Sequence, residues 1–174
     1  MIFNEIHYRT DKNEINLQNG TEIIRHAVRA VIFIEGKILM AHLGKTDEYK
    51  FPGGGRKDGE TVNEALKREV LEEVGYNVTK IGEKIGVITE YDVAKEGEQY
   101  YFKMISEYYI AEVENIQLKQ NLEDNEKELQ FKPCWVDITE AYNKNKYKLK
   151  EDVYKTPGIS RETIALEKII KDYY

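Results

Sequence analysis

The feature that most constrains this chain is a helix whose apolar face also carries carboxylates. The helix is predicted to run from Val62 to Val74. Thr61 and Glu64 have the spacing of a capping box at its start, and Gly75 suits the left-handed residue that follows a helix. The ends of the helix are therefore defined, and the direction in which each of its side chains points can be deduced.

Three carboxylates crowd one side of this helix. At about 100° per residue, Glu69 and Glu73 fall inside the apolar stripe, and Glu72 falls on its edge. Like charges one turn apart destabilise a helix, and carboxylate oxygens so arranged suit a hard cation such as Mg²⁺ or Mn²⁺. We therefore expect a metal site; the alternative is that basic neighbours neutralise the charges. If no basic neighbour neutralises Glu73, the substitution Glu73→Gln should leave the metal-free protein at least as stable as the wild type.

A glycine-rich loop precedes the helix. Phe51 and Pro52 are followed by Gly53, Gly54 and Gly55. A backbone without side chains, just upstream of a helix N-terminus, can offer carbonyl oxygens to a metal or amides to a phosphate. The loop and the helix together predict a site for a cation and a phosphorylated ligand.

The charge balance sets limits on the partners of the chain. Lysine and arginine total 26 and aspartate and glutamate total 32, which gives a net charge of −6. This balance argues against non-specific nucleic-acid binding and predicts that a polyanionic substrate needs metal ions. The single cysteine, Cys134, fits a reducing compartment. Because no apolar run reaches membrane-spanning length and the N-terminus lacks a signal-peptide pattern, we expect a cytoplasmic protein without membrane contact.

The remaining pattern predicts an α+β fold with a mixed sheet covered by helices. Strands are expected at residues 27–34, 38–43, 49–51, 85–91, 100–113 and 131–138, with turns at 35–37 and near Gly97. Further helices are expected at 139–142 and, behind Ser160 as N-cap, at 161–173. In domain terms, residues 1–24 are expected to form a strand or hairpin extension, 25–142 the main domain, and 143–174 a C-terminal segment whose helix packs on that domain.

The segment from Gly54 to Tyr76 resembles the Nudix box. That family pattern is a glycine, five residues, Glu, seven residues, Arg-Glu with an aliphatic residue, one residue, two Glu, one residue, Gly and an aliphatic residue. The matching residues here are Gly54, Glu60, Arg68, Glu69, Val70, Glu72, Glu73 and Gly75. Tyr76 departs from the pattern at a core-packing position.

The resemblance implies a Nudix-like α/β/α sandwich that hydrolyses a nucleoside diphosphate linked to another moiety. It implies Mg²⁺ or Mn²⁺ as cofactor and a nucleotide-type small molecule as substrate; a homodimer is compatible with it. The implied metal ligands are Glu69, Glu72, Glu73 and a Gly54 carbonyl. Glu60 and Arg68 are implied to orient these carboxylates. The alternative is a Nudix-fold domain that senses a nucleotide without hydrolysing it, which the intact acidic positions disfavour.

The resemblance also suggests residues outside the box. Family members often add a later carboxylate as ligand or base. We expect Glu128 in this role, with Glu126 as the runner-up. The alternative is that this segment is simply a solvated acidic loop. Arg29 and Arg56 could hold a phosphate or be ordinary ion-pair partners. Tyr91 stands where ADP-ribose hydrolases often have a proline, and close to where dinucleoside polyphosphate hydrolases have a tyrosine. We therefore expect a nucleoside triphosphate or dinucleoside polyphosphate in preference to ADP-ribose.

Overall fold

The computed structural model of the protein describes residues 3–9, 21–93, 100–151 and 155–173. Within these ranges the chain forms eight strands and four helices. In chain order they are β1 (Phe3–Tyr8), β2 (Thr21–Val31), β3 (Phe33–Ile34), β4 (Lys37–Leu43), β5 (Glu48–Lys50), α1 (Val62–Val74), β6 (Val78–Val93), β7 (Tyr100–Val113), α2 (Asp124–Glu128), β8 (Phe131–Val136), α3 (Ile138–Lys150) and α4 (Ile159–Tyr173). No helix in the described ranges is long and apolar enough to cross a bilayer.

The strands of the described residues form two four-stranded sheets. The first has the order β1-β6-β7-β2 and is mixed, because β1 pairs parallel with β6, β6 antiparallel with β7, and β7 parallel with β2. In the second, β4 pairs antiparallel with β3, β5 and β8. The expected α+β class with a mixed sheet is confirmed, and the structure adds a separate antiparallel sheet. The expected turn between β3 and β4 is also present, with positive φ at Glu35 and Gly36.

The helices cover the sheets from both sides. Alternate residues of β4 point to different cores: Leu39 and Ala41 pack with α1, whereas Ile38 and Met40 pack with α3 and α4. A strand buried on both faces is continuously apolar, as residues 38–41 of β4 are. The result is the α/β/α layering that the sequence predicted.

The largest corrections concern the C-terminal third of the chain. β8 ends at Val136, because the side chain of Asp137 caps a new helix by accepting hydrogen bonds from the amides of Thr139 and Glu140 at 2.8 and 3.1 Å. Ile138 is therefore the first residue of α3 and not the last of a strand. α3 extends to Lys150 and is much longer than the short helix expected at 139–142.

Two further expectations about this region are wrong. Ser160 is not an N-cap, because α4 begins at Ile159 and the amide of Glu162 already donates to the Gly158 carbonyl at 3.1 Å. The alternative that residues 122–129 are simply a solvated acidic loop is also wrong, because residues 124–128 form α2. The turn expected near Gly97 lies outside the described residues.

The expected domain limits fall within continuous elements. β1 pairs with β6 along its whole length and forms one edge of the mixed sheet. The limit at residue 24 falls inside β2, and the limit at residue 142 falls inside α3. α4 packs on α3 and on the strands, so the C-terminal segment belongs to the same core as the rest of the chain.

Candidate active site

α1 begins and ends at the predicted residues, and its acidic residues lie where the helical wheel placed them. The Thr61 hydroxyl accepts a hydrogen bond from the Glu64 amide, the Glu64 carboxylate accepts one from the Thr61 amide, and Gly75 is left-handed with φ 74°. Glu69 and Glu73 are buried, with 8 % and 1 % of their surface exposed. The prediction of two carboxylates on the buried face of this helix is confirmed.

Arg68 organises the carboxylates around it. Its Nε and Nη2 donate to the two oxygens of Glu60 at 2.7 and 2.8 Å, which closes a bidentate pair. Its Nη1 donates to Glu69 at 2.7 Å and to Glu72 at 3.1 Å. The hydrogen bonds from Arg68 lower the pKa of Glu60 to about 2. Glu60, in the loop before α1, thus folds back to hold Arg68, and Arg68 fixes the two helix carboxylates.

Glu73 has a different set of partners. Lys50, at the end of β5, donates to one of its oxygens at 2.6 Å, and the amide of Gly53 donates to the other at 2.7 Å. Basic neighbours therefore neutralise this carboxylate, which contradicts the expectation that Glu73 carries an uncompensated charge. The helical wheel could not show this, because both partners come from a strand and a loop outside the helix.

The glycine loop lies directly against the helix carboxylates. A Cβ on Gly54 would lie 2.6 Å from both carboxylate oxygens of Glu69, so no other residue fits there without displacing that side chain. Gly53 has φ 140°, and a Cβ there would collide with the Val28 carbonyl. Burial raises the pKa of Glu69, and the charge of Glu73 raises it further. The backbone is thus as close to the carboxylates as the sequence predicted.

The later carboxylate that reaches this site is Glu126. It is 8 % exposed, and burial raises its pKa to about 7, an effect to which the charge of Glu73 adds. Glu128, which the sequence favoured, is exposed and pairs with Lys45 at 2.5 Å. Glu126 and not Glu128 reaches the site, because residues 124–128 form a helical turn and side chains two positions apart on it point in different directions.

These groups border a cleft of about 560 Å³. On what we call the carboxylate side it is lined by Glu69, Glu73, Glu126 and the glycine loop. On what we call the arginine side it is lined by Arg9, Arg25, Arg29 and Arg161, from the mixed sheet and α4. With Arg56 and Arg68, all six arginines of the chain line this one cleft. A protein of net charge −6 has therefore concentrated its guanidinium groups at a single place.

The substrate-binding residues expected from the sequence are not all brought together. Arg29 is 4 % exposed and donates to the Gly53 carbonyl, so it supports the loop. Arg56 donates to the Glu60 carbonyl at 2.7 Å and borders the cleft. Tyr91 is placed elsewhere, stacked on Tyr8 with ring centroids 5.3 Å apart.

The arginine side contains a buried ion-pair cluster that the sequence did not reveal. Arg161 pairs with Glu90 at 2.5 Å and with Glu162 at 2.7 Å, and all three side chains are almost fully buried. Glu162 also accepts a hydrogen bond from the Phe51 amide at 3.0 Å, which ties α4 to the start of the glycine loop. Arg161 and Glu162 opened the predicted last helix, but nothing local indicated that a charged pair there would be buried.

Among the described residues, no three His, Cys, Asp or Glu side chains converge into a ready metal-binding group. The reason is visible in the contacts. Lys50 and the Gly53 amide engage Glu73, and Arg68 engages Glu69 and Glu72. The carboxylates are close but turned toward basic partners.

The chain is similar in sequence to a family model and to a curated relative. A family model described as NUDIX domain matches residues 24–156. An 8-oxo-dGTP diphosphatase from Proteus vulgaris is 36 % identical over 70 residues, which is 40 % of this chain and 58 % of that protein. The chain therefore matches a little over half the length of this curated relative.

Solved structures share the fold. A NUDIX hydrolase from Nitrosomonas europaea has a TM-score of 0.57 at 20 % identity, covering 87 % of this chain and 93 % of that one. A MutT NUDIX hydrolase from Burkholderia pseudomallei has a TM-score of 0.55 at 20 % identity, covering 84 % and 98 %. An ADP-ribose pyrophosphatase from Streptococcus suis has a TM-score of 0.53 at 14 % identity, covering 86 % and 94 %. At such identities the similarity concerns the fold alone.

Proposed function

The chain belongs to the Nudix domain family, and we propose that it is a metal-dependent pyrophosphohydrolase that cleaves a nucleoside diphosphate linked to another moiety. The observation that carries this proposal is that Glu69, Glu73, Glu126 and the glycine loop line one cleft together with all six arginines. Acidic groups that can hold a cation and basic groups that can hold phosphate oxygens therefore share one cavity.

The donor set fits a hard divalent cation. Burial and the charge of Glu73 raise the pKa of Glu69, so a positive ion between them would relieve a repulsion that the metal-free site retains. Glu69, Glu72 and Glu73 would hold the ion together with the Gly54 carbonyl. That carbonyl accepts one hydrogen bond from the Val28 amide at 3.0 Å and keeps a second lone pair. When bound, Mg²⁺ or Mn²⁺ supplies charge that neutralises phosphate oxygens and acidifies the attacking water.

The chain's own residues supply position and proton transfer. Arg68 keeps Glu69 and Glu72 in fixed orientations, and Glu60 fixes Arg68 in turn. Burial raises the pKa of Glu126 to about 7, and its side chain lines the cleft, so it is suited to accept a proton from water near neutral pH. We therefore assign Glu126 the role of base or additional ligand, in place of Glu128.

A nucleoside triphosphate or dinucleoside polyphosphate is the proposed substrate, in preference to ADP-ribose. The arginine side supports a ligand rich in phosphate, because guanidinium groups bind phosphate oxygens in bidentate geometry. The Proteus vulgaris relative is an 8-oxo-dGTP diphosphatase, which supports the inclusion of oxidised triphosphates. Tyr91 no longer contributes to this argument, since it packs away from the cleft.

The test is a turnover screen with Mg²⁺ and with Mn²⁺ over nucleoside triphosphates, oxidised triphosphates, dinucleoside polyphosphates, ADP-ribose and nucleotide sugars. We expect release of a nucleoside monophosphate from at least one polyphosphate substrate, and loss of this activity on chelation. Undiminished turnover after exhaustive chelation would contradict the metal requirement. Preferential hydrolysis of ADP-ribose would contradict the substrate class.

One observation favours the alternative of a nucleotide sensor. Lys50 occupies an oxygen of Glu73 that a cation would need, at 2.6 Å. If this ion pair blocks the cation, the wild type should bind nucleotide without turnover, and Lys50→Met should increase metal affinity. If Lys50 instead swings away when the cation binds, the wild type should turn over substrate and Lys50→Met should not exceed it. The two functions are separated by this pair of measurements.

A further inference from the structure

A second, smaller pocket of about 230 Å³ adjoins the cleft on the mixed sheet. The two cavities share Arg9, Arg25 and Met104, so they are continuous. Met104 also contacts Arg161 of α4, whose Nη1 lies 3.3 Å from its sulfur. The side pocket is therefore an extension of the cleft from the arginine side, and a ligand in the cleft can reach it.

The floor of the side pocket is apolar and exposed. β2 and β7 pair so that Ile23 is opposite Phe102 and Arg25 is opposite Met104, which places all four side chains on one face of the sheet. Phe102 is 42 % exposed and Ile23 is 40 % exposed. An exposed aromatic ring is ordinary when isolated, but this one is continuous with the cleft. The pocket around it also holds Arg9, Arg25 and Lys103, and the carboxylates Glu90 and Asp92, both of which pair with Arg9. Such a surface suits a planar ring that carries a negative charge nearby.

Arg25 differs from the other arginines that line the cleft. The other five all have an oxygen partner: Asp92 for Arg9, the Gly53 carbonyl for Arg29, the Glu60 carbonyl for Arg56, Glu60 for Arg68 and Glu162 for Arg161. The side chain of Arg25 has no ion pair or hydrogen-bond partner within the described ranges 3–9, 21–93, 100–151 and 155–173. Its charge is therefore available to a ligand.

The position of Arg25 is fixed by the glycine loop. A Cβ on Gly55 would lie 2.7 Å from two of its guanidinium nitrogens, so the guanidinium rests on bare backbone. The neighbouring Gly54 faces the carboxylate of Glu69. Arg25 thus stands between the side pocket and the carboxylate side, at the point where a phosphate attached to a nucleoside in the side pocket would pass.

We propose that the side pocket receives the base of the nucleotide substrate, with its ring against Phe102 and Ile23, and that Arg25 holds a phosphate oxygen between this pocket and the carboxylate side. This inference rests on the proposed function for its substrate class. It assigns base recognition to the end of the mixed sheet and leaves Arg29 and Arg56 as supports of the loop.

The experiment is an NMR titration of the metal-free protein with guanosine 5′-monophosphate and, separately, with inorganic phosphate. We expect Phe102→Ala to raise the Kd for the nucleotide about fivefold or more and to leave phosphate binding unchanged, because only base stacking is lost. Arg25→Ala should raise both Kd values about tenfold or more, the scale of a lost charge-assisted hydrogen bond. Ile116→Ala, at a side chain 63 % exposed outside both pockets, is the matched control and should change neither.

The outcomes separate this inference from the proposed function. Phe102→Ala or Arg25→Ala protein that binds the nucleotide as tightly as Ile116→Ala overturns the inference. So does a wild-type titration whose shifted resonances do not include β2 and β7. The titration involves no turnover, so a wild type that hydrolyses no polyphosphate overturns the proposed function while the titration still decides where a nucleotide binds. Melting curves of both variants confirm that these surface substitutions leave the fold intact.

Discussion

The two sides of the cleft are built in different ways. The carboxylate side comes from one continuous stretch, residues 53–73, together with Glu126. The arginine side is assembled from the end of β1, from β2 and from α4, which are separated by many residues in the chain. The groups proposed to hold the cation are thus encoded locally, whereas the groups proposed to hold the substrate meet only when the chain folds. Substitutions on both sides of the cleft and outside it test this difference.

Arg161→Met should produce the largest effect, on stability. Burial opposes the ionisation of Glu162, but Arg161 and Arg29 outweigh it and hold its pKa below the usual range. Without Arg161, Glu90 and Glu162 become buried charges with too few partners, which typically costs about 3–5 kcal/mol of unfolding free energy. Urea denaturation of the metal-free protein measures it. Lys168→Met, which breaks an ion pair with Glu5 at the surface, is the control and should show no measurable change.

Glu73→Gln should lower kcat by about a hundredfold or more, the scale on which loss of a charge-stabilising group acts. It should also destabilise the metal-free protein by about 1–3 kcal/mol, because Lys50 loses a charged partner. A turnover assay and a metal-free denaturation curve check the two parts. A variant as stable as the wild type would restore the original expectation that Glu73 contributes repulsion and no stability.

Glu126→Gln should reduce turnover about tenfold or more, and Glu128→Gln should leave it unchanged. The two substitutions make the same chemical change two residues apart, one buried in the cleft and one exposed beside Lys45. Steady-state rates of both proteins under identical metal concentration decide the comparison. If Glu128→Gln is the slower enzyme, the helical turn of α2 does not set the orientation of these side chains in solution.

Glu126→Gln should also change how the stability of the metal-free protein depends on pH. Burial raises the pKa of Glu126 to about 7 in the folded protein, above its ordinary value of 4.5. The folded state therefore binds the Glu126 proton more tightly than the unfolded state does. This proton binding stabilises the fold fully below pH 4.5, and its contribution to the unfolding free energy is lost as the pH rises through about 7. Between these limits the metal-free wild type should lose about 1–3 kcal/mol more than Glu126→Gln. Parallel stability curves would contradict the raised pKa.

Tyr91→Phe should have the smallest effect, with KM changed by less than about twofold. Its ring lies between those of Tyr8 and Tyr101, at 5.3 and 6.2 Å between centroids, and does not border the cleft. The assay uses the best substrate from the turnover screen, with Phe102→Ala as the variant that should change KM. A large increase in KM for Tyr91→Phe would return the residue to the substrate site.

The parts of the molecule that the sequence predicted are those whose signals are local. The capping box of α1, the left-handed Gly75 and the acidic residues on its buried face depend on spacing within one helix, and all are confirmed. Glu128 lies nearer to β8 along the chain, which favours it from the sequence, but Glu126 is the one that lines the cleft, because residues 124–128 form the helix α2. Asp137 shows the same limit, because its side chain caps α3 and so ends at Val136 a strand that the sequence pattern predicts to continue to residue 138.

What could not be predicted required knowledge of contacts between distant segments. Lys50 meets Glu73 because β5 ends beside α1, and Arg161 meets Glu90 because α4 crosses the mixed sheet. No pattern in the sequence around either pair indicates that its two residues meet. Nothing in the sequence around Arg25 indicates that its side chain has no ion-pair partner among the residues that the structure describes.

Because every arginine of the chain lines one cleft, this region can be modified selectively by arginine-specific reagents. A guanidinium-specific reagent such as a dicarbonyl can react nowhere on this chain except around the cleft, because no arginine lies elsewhere. Lysines, by contrast, are spread over the surface and offer attachment points remote from it, as Lys80 and Lys146 do. Immobilisation through such remote amines can therefore be combined with a dicarbonyl footprint, in which protection by a ligand reports occupancy of the cleft or of the side pocket that shares Arg9 and Arg25 with it.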